Sequence, residues 1–270
     1  MRIVTLIENS PGDRGCAFEH GLSLYVETER HRLLMDTGAG GAFLGNAEKL
    51  GIDLGRVDTV ILSHGHYDHT GGVRAFAAVD PQAVIYLRAN ADGAFYHGEK
   101  YIGIDRAILS LPRLRKTEGS LVIDDELSLF TDVTGSRCRP ESNLELSRRD
   151  PDGSVRQDDF SHEQYLVIRE GGRHVLLSGC AHNGILNILD RYRALYHGDP
   201  DLVISGFHMK KNAEYTDAEL RTIRSIAAEL KRTDAAYYTG HCTGDPAFGI
   251  MREIMGDQLK RIRSGDEIIF

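Results

Sequence analysis

Six consecutive positions concentrate the chemistry of this sequence: His64-Gly65-His66-Tyr67-Asp68-His69, followed by Thr70-Gly71-Gly72. Three imidazoles and a carboxylate supply the nitrogen and oxygen donors that borderline divalent cations prefer. One ion cannot easily take all four. His64 and His66, two positions apart on a turn, can converge on one cation, while Asp68 and His69 point past it toward a second. Gly65, Gly71 and Gly72 permit the tight backbone that convergence demands. A solvated histidine-rich turn would account for neither these glycines nor the apolar run in front of them.

Other donors obey the same rule of position. Apolar runs of strand length fall at 2–7, 22–28, 31–35, 59–63 and 83–87, then at 165–169, 174–178, 202–205, 235–239 and 267–270. Helical-period segments at 43–50, 72–78, 185–196, 217–231 and 247–254 alternate with them, so the fold class is α/β. The helix over 217–231 is well signed, with Thr216 as cap, Glu219 as its capping-box partner, and Leu220, Ile223, Ile226, Ala227 and Leu230 on one face. Asp36, His64, His182, His208 and His241 each lie just beyond the C-terminal end of an apolar strand. In α/β sheets those ends form the crevice where ligands bind, so separate strands can deliver these side chains to one place. The two halves share a loose strand-turn-helix order that suits a two-sheet sandwich, expected here as a single domain over 1–270. The polar, weakly periodic stretches at 88–119 and 131–162 read as surface insertions on it.

Composition limits the partners. The 270 residues are 41% hydrophobic and carry 32 Lys+Arg against 40 Asp+Glu, a net charge of −8 that argues against gripping a nucleic-acid backbone. Cys16, Cys138, Cys180 and Cys242 form no CxxC pair, which suggests a reducing compartment. No signal-like or membrane-spanning apolar stretch is found, so a cytoplasmic protein with no membrane partner is expected; the oligomeric state stays open. Gly38-Ala39-Gly40-Gly41 lacks GxGxxG spacing and reads as a close turn rather than a phosphate loop. Arg113-Leu114-Arg115-Lys116, Lys210 and Lys211 are either solvated cations or contacts for an anionic substrate.

The string LSHGHYDHTGG resembles the HxHxDH signature of the metallo-β-lactamase-fold hydrolases, and Asp36-Thr37-Gly38 resembles the DTG that precedes it there. Glu19-His20-Gly21-Leu22-Ser23, Gly179-Cys180-Ala181-His182-Asn183-Gly184-Ile185, Gly206-Phe207-His208 and Gly240-His241-Cys242-Thr243-Gly244 are similar to the subgroup named after a methanopterin-pathway synthase, which joins a dihydropterin to ribofuranosylaminobenzene phosphate. The resemblance implies a four-layer αββα sandwich with two divalent cations along one edge, zinc first, with manganese or iron as alternatives. It implies His64 and His66 as ligands of one metal, Asp68 and His69 of the other, and His241 completing the second. Where many relatives carry a bridging Gly-Asp, this chain reads Ser178-Gly179-Cys180. Either the Cys180 thiolate substitutes, or His182 supplies a first-metal bond and Cys180 packs. The second option is favoured, with Asp159 and His162 as weaker replacements. Asp36 is expected to orient a ligand histidine rather than to bind metal. His20 is either a partner of a ligand or structural, and His31, His97, His174 and His197 are read as surface or structural.

Two divalent cations and an activated water make hydrolysis the simplest chemistry, with Asp68 and His208 as catalytic candidates. His208 has two readings, a substrate-facing donor or a loop anchor. A small anionic ester, first a phosphoester, is the expected substrate. The synthase reaction and a non-catalytic metal- or ligand-binding role are the alternatives.

Overall fold

The computed structural model describes residues 1–80 and 82–270. In chain order its first half holds strands β1 (Arg2–Ile7), β2 (Ser23–Glu27), β3 (Arg32–Met35), β4 (Thr59–Ile61), β5 (Val84–Arg88), β6 (Ala94–His97), β7 (Lys100–Tyr101), β8 (Leu114–Thr117), β9 (Leu121–Val122) and β10 (Leu127–Phe130), with helices α1 (Ala42–Lys49), α2 (Tyr67–Thr70) and α3 (Val73–Val79). The second half adds β11 (Leu146–Arg149), β12 (Val155–Gln157), β13 (Tyr165–Glu170), β14 (Arg173–Leu177), β15 (Leu202–Ile204), β16 (Ala236–Thr239), β17 (Leu259–Arg261) and β18 (Glu267–Ile269), with helices α4 (Ile185–Tyr196), α5 (Asp217–Leu230) and α6 (Asp245–Met255).

Two seven-stranded sheets form the body, ordered β18-β1-β2-β3-β4-β5-β8 and β17-β16-β15-β14-β13-β10-β9. Each is antiparallel on one side and parallel on the other: β3, β4, β5 and β8 run parallel in the first, β14 to β17 in the second. Period-two alternation assigns the faces. Leu33, Met35 and Ile61 point between the sheets to meet Leu166, Val175, Leu177 and Ile204, while Leu34 and Leu176 point outward. The outer face of the first sheet is covered by Phe43 and Ala47 of α1 and Val73 and Phe76 of α3. The outer face of the second is covered by Ile188 and Tyr192 of α4, Ile223 and Ala227 of α5, and Met251 of α6. The result is the αββα layering.

The two weakly periodic stretches hold short strands of their own. β8 is the edge strand of the first sheet, and β6, β7, β11 and β12 build a separate four-stranded sheet in which β6 of one stretch pairs with β11 of the other. Strands of two to four residues are too short for periodicity to reveal them.

Candidate metal centre

The parallel strands of both sheets end at one edge, and the donors sit in the loops that leave it. Asp36 follows β3, His64 to His69 follow β4, Cys180 and His182 follow β14, His208 follows β15 and His241 follows β16. Four loop residues there hold left-handed backbone, Asp36 (φ 62°), Ala181 (53°), His208 (48°) and His241 (50°). Such strain persists only where surrounding packing over-determines it, and it clusters at functional sites. Gly65 is needed for space rather than for φ: a Cβ there would lie 2.3 Å from Ala91 O.

Two groups of donors face each other. His64 Nε2 and His66 Nδ1 are 3.0 Å apart, and His182 completes a triplet whose ligand atoms all lie within 4.8 Å. In the second group His69 Nε2 is 3.2 Å from His241 Nε2, and Asp68 Oδ2 is 3.6 Å from the first and 3.3 Å from the second. A tetrahedral ion with bonds of about 2.0–2.1 Å separates its ligand atoms by roughly 3.3–3.4 Å. Cys180 Sγ lies between the groups, 3.2 Å from His69 Nε2, and joins triplets with His64 and His69 and with His182 and His208. Cys180 Sγ thus lies within reach of both donor groups.

The outer nitrogens decide which way each ring faces. Asp36 Oδ2 accepts from His69 Nδ1 at 2.6 Å. Ser63 Oγ donates to the same carboxylate and accepts from His64 Nδ1 at 2.8 Å. Asn143 Oδ1 accepts from His182 Nδ1 at 3.0 Å, and Asn9 Oδ1 accepts from His241 Nδ1 at 2.9 Å. With Nδ1 tied outward, all four rings turn Nε2 inward, the orientation that ligand histidines require. His182 Nε2 is buried with no hydrogen-bond partner, which is costly unless a cation or ligand supplies one, whereas His66 turns Nδ1 toward His64 and its Nε2 toward Asp158 Oδ2, 4.0 Å away.

Electrostatics agrees with a cation-binding cluster. Burial, reinforced by neighbouring imidazoles, holds His64 and His182 well below the ordinary imidazole range and His66 at about 3, so these rings stay neutral. Burial alone would raise the Asp68 pKa, but His69 and His241 outweigh it and keep the carboxyl ionised far below its usual range. Burial opposes charge on His69 as well, yet Asp36 and Asp68 prevail and lift it to about 9, so a cation at its Nε2 takes the place of a proton.

Several expected residues fall elsewhere. His162 accepts from Gly65 N and donates to Asp158 Oδ2, so both its nitrogens are occupied, and Asp159 accepts from Ser161 N at the surface. Lys116 pairs with Asp92 and Arg113 with Gln82, away from the histidines. Lys211 pairs with Glu219, whereas exposed Lys210 lines the cavity at the cluster. Glu19 occupies the amides of Ala39 and Gly40, which removes that turn as an anion site. His20 Nε2 is 3.3 Å from Asp68 Oδ2. His97, read as surface or structural, is exposed, lines the cavity and pairs with Glu145. Sequence reasoning missed Asn9, Asn143 and Lys100, which carry no periodic or motif signal, and assigned no role to Ser63 although it stands inside the motif string.

The family model of the metallo-β-lactamase superfamily matches residues 17–241. The chain belongs to the metallo-β-lactamase superfamily. It is similar to the crystal structure of a metal-dependent hydrolase of this superfamily, with a TM-score of 0.83 and 30% identity over 100% of this chain and 99% of that one. A 7,8-dihydropterin-6-methyl-4-(β-D-ribofuranosyl)-aminobenzene-5′-phosphate synthase of Methanocaldococcus jannaschii is 26% identical over 290 residues, covering 100% of this chain and 97% of the relative. An uncharacterized protein of the same organism is 26% identical over 248 residues, 90% of each. Among the described residues of this metallo-β-lactamase-fold chain, no helix is long and apolar enough to cross a membrane.

Proposed function

We propose that this chain is a metal-dependent hydrolase of a small anionic ester, first a phosphoester, working with two divalent cations. One observation carries the reading: two donor groups face each other with their outer nitrogens tied away, turning Nε2 of four rings onto a shared space. His64, His66 and His182 would hold one cation and Asp68, His69 and His241 the other, with Cys180 between them. Bound there, such cations supply Lewis acidity and a water that is nucleophilic near neutral pH. Asp68 is too weak a base to keep a proton, so it orients the attacking water as hydrogen-bond acceptor. His208, whose buried Nδ1 has no partner, donates to the leaving group or a phosphoryl oxygen. Exposed Lys100 and Lys210 line the same cavity and attract the anion. The Lys100 ammonium also donates to Tyr67 Oη at 3.1 Å, freeing the phenol proton for the substrate.

The likeness to the synthase along the whole chain favours a second reading on the same cluster. There the residues hold a diphosphate leaving group while an arene carbon attacks. Metal analysis paired with a chromogenic phosphodiester, phosphomonoester and thioester panel separates the two. About two metals per chain with chelator-sensitive phosphoester turnover supports the hydrolase. Two metals without hydrolysis shifts the weight to the synthase or to a non-catalytic binder. His66→Ala should lower metal content and abolish turnover, whereas His208→Ala should keep the metal and slow the reaction. Full metal and full activity in His66→Ala would sink the assignment.

A further inference from the structure

A second cavity of about 270 Å³ lies beside the one at the histidine cluster, between the loop after β10, the loop after β15, and α5. The two share a wall made of Ser142, Glu145 and His208. Beyond that wall Met209, Tyr215, Ile223 and Ile226 give the cavity an apolar side, next to charged lining that includes Arg139, Glu141 and the Lys211–Glu219 ion pair. Tyr215 Oη is tied to Met209 O at 2.8 Å, so its ring is held as a fixed flat face. His208 stands on the shared wall in left-handed backbone (φ 48°), and its buried Nδ1 lacks a partner. An apolar cavity of about 150 Å³ accommodates benzene, so this one has room for two fused rings.

We propose that this cavity receives the ring-bearing, uncharged body of the substrate while its ester reaches over His208 to the histidine cluster. The inference rests on the proposed function only for what lies at the cluster. It assigns the ring's recognition to Met209, Tyr215, Ile223 and Ile226 and makes α5 a specificity element. A substrate with only a small alkyl group leaves the cavity empty and gains nothing from it. The ligand class is therefore an aryl or fused-ring compound bearing an anionic ester.

The test uses the full chain, with metal content measured on every sample and 2-naphthol and 2-naphthyl phosphate as probes. Isothermal titration of 2-naphthol, which lacks the phosphate, should show binding to both metal-loaded and chelated protein. Thr222→Trp, which places an indole in the cavity from α5, should weaken that binding by about tenfold or more and leave metal content unchanged. Nuclear Overhauser contacts from the naphthol protons to the Met209, Ile223 and Ile226 methyls locate the ring in the unmodified chain, so the inference does not depend on the variant folding. No binding, contacts elsewhere, or unchanged affinity in a folded Thr222→Trp would overturn it. If 2-naphthyl phosphate gains nothing over 2-naphthol when metal is loaded, the phosphoester reading fails while the ring site stands.

Discussion

At the residue scale, the candidate ligands are less informative than the atoms behind them. A histidine beside a cation is useful only if the correct nitrogen is free, and here Asp36, Ser63, Asn143 and Asn9 make that choice for four rings. Removing such a partner should leave the ligand in place but loosely aimed. Asn143→Ala should therefore weaken metal binding by about 10–100-fold, read by competition against a chromophoric chelator. Unchanged affinity would mean that packing of Phe160 on His182, with rings 4.4 Å apart and 6° from parallel, suffices to hold it. The HxHxDH string was legible because its donors are neighbours in sequence. Asn143 was not, because it lies 39 positions from His182, and Asn9 lies 232 positions from His241.

At the element scale, helices and loops set the walls of the site. Thr216 Oγ1 accepts from Glu219 N and the Glu219 carboxylate answers at Thr216 N, closing the capping box of α5. Thr216→Ala should cost about 1 kcal/mol in denaturant unfolding. A second device links the sheets through His31, which reaches Asp58 before β4 at 2.9 Å and Asp124 before β10 at 2.7 Å. Burial disfavours its charged form, but the two carboxylates outweigh that and raise its pKa. Because the folded pKa is raised, the contribution is complete below the ordinary imidazole value and is lost as pH rises through the folded one. His31→Gln should thus lower the Tm more at about pH 6 than at about pH 9. An equal loss at both would show that only neutral contacts matter.

At the scale of the whole molecule, the site is where two sheets meet, so its occupancy and the stability of the fold are linked. The inward nitrogens lie close, His64 Nε2 to His66 Nδ1 at 3.0 Å and His69 Nε2 to His241 Nε2 at 3.2 Å, and a cation between them would offset their mutual repulsion. Chelation should lower the Tm, and returning metal at about 100 times its Kd should restore about 2.7 kcal/mol of stability. Scanning calorimetry with and without chelator reads this directly, and a Tm indifferent to metal would argue that the cluster is satisfied on its own. The residue order alone determined the donor chemistry, the strand-end placement of the donors and the layered α/β class. Those follow from local rules: period-two burial, helical period, and turns that span a few residues. Tertiary packing decided the rest: which nitrogen of each ring faces inward, that Cys180 stands between the groups, that the two weakly periodic stretches pair into a third sheet, and that a cavity with an apolar side opens beside His208. These depend on contacts between side chains far apart in sequence, whose geometry is fixed only when the two sheets close on each other.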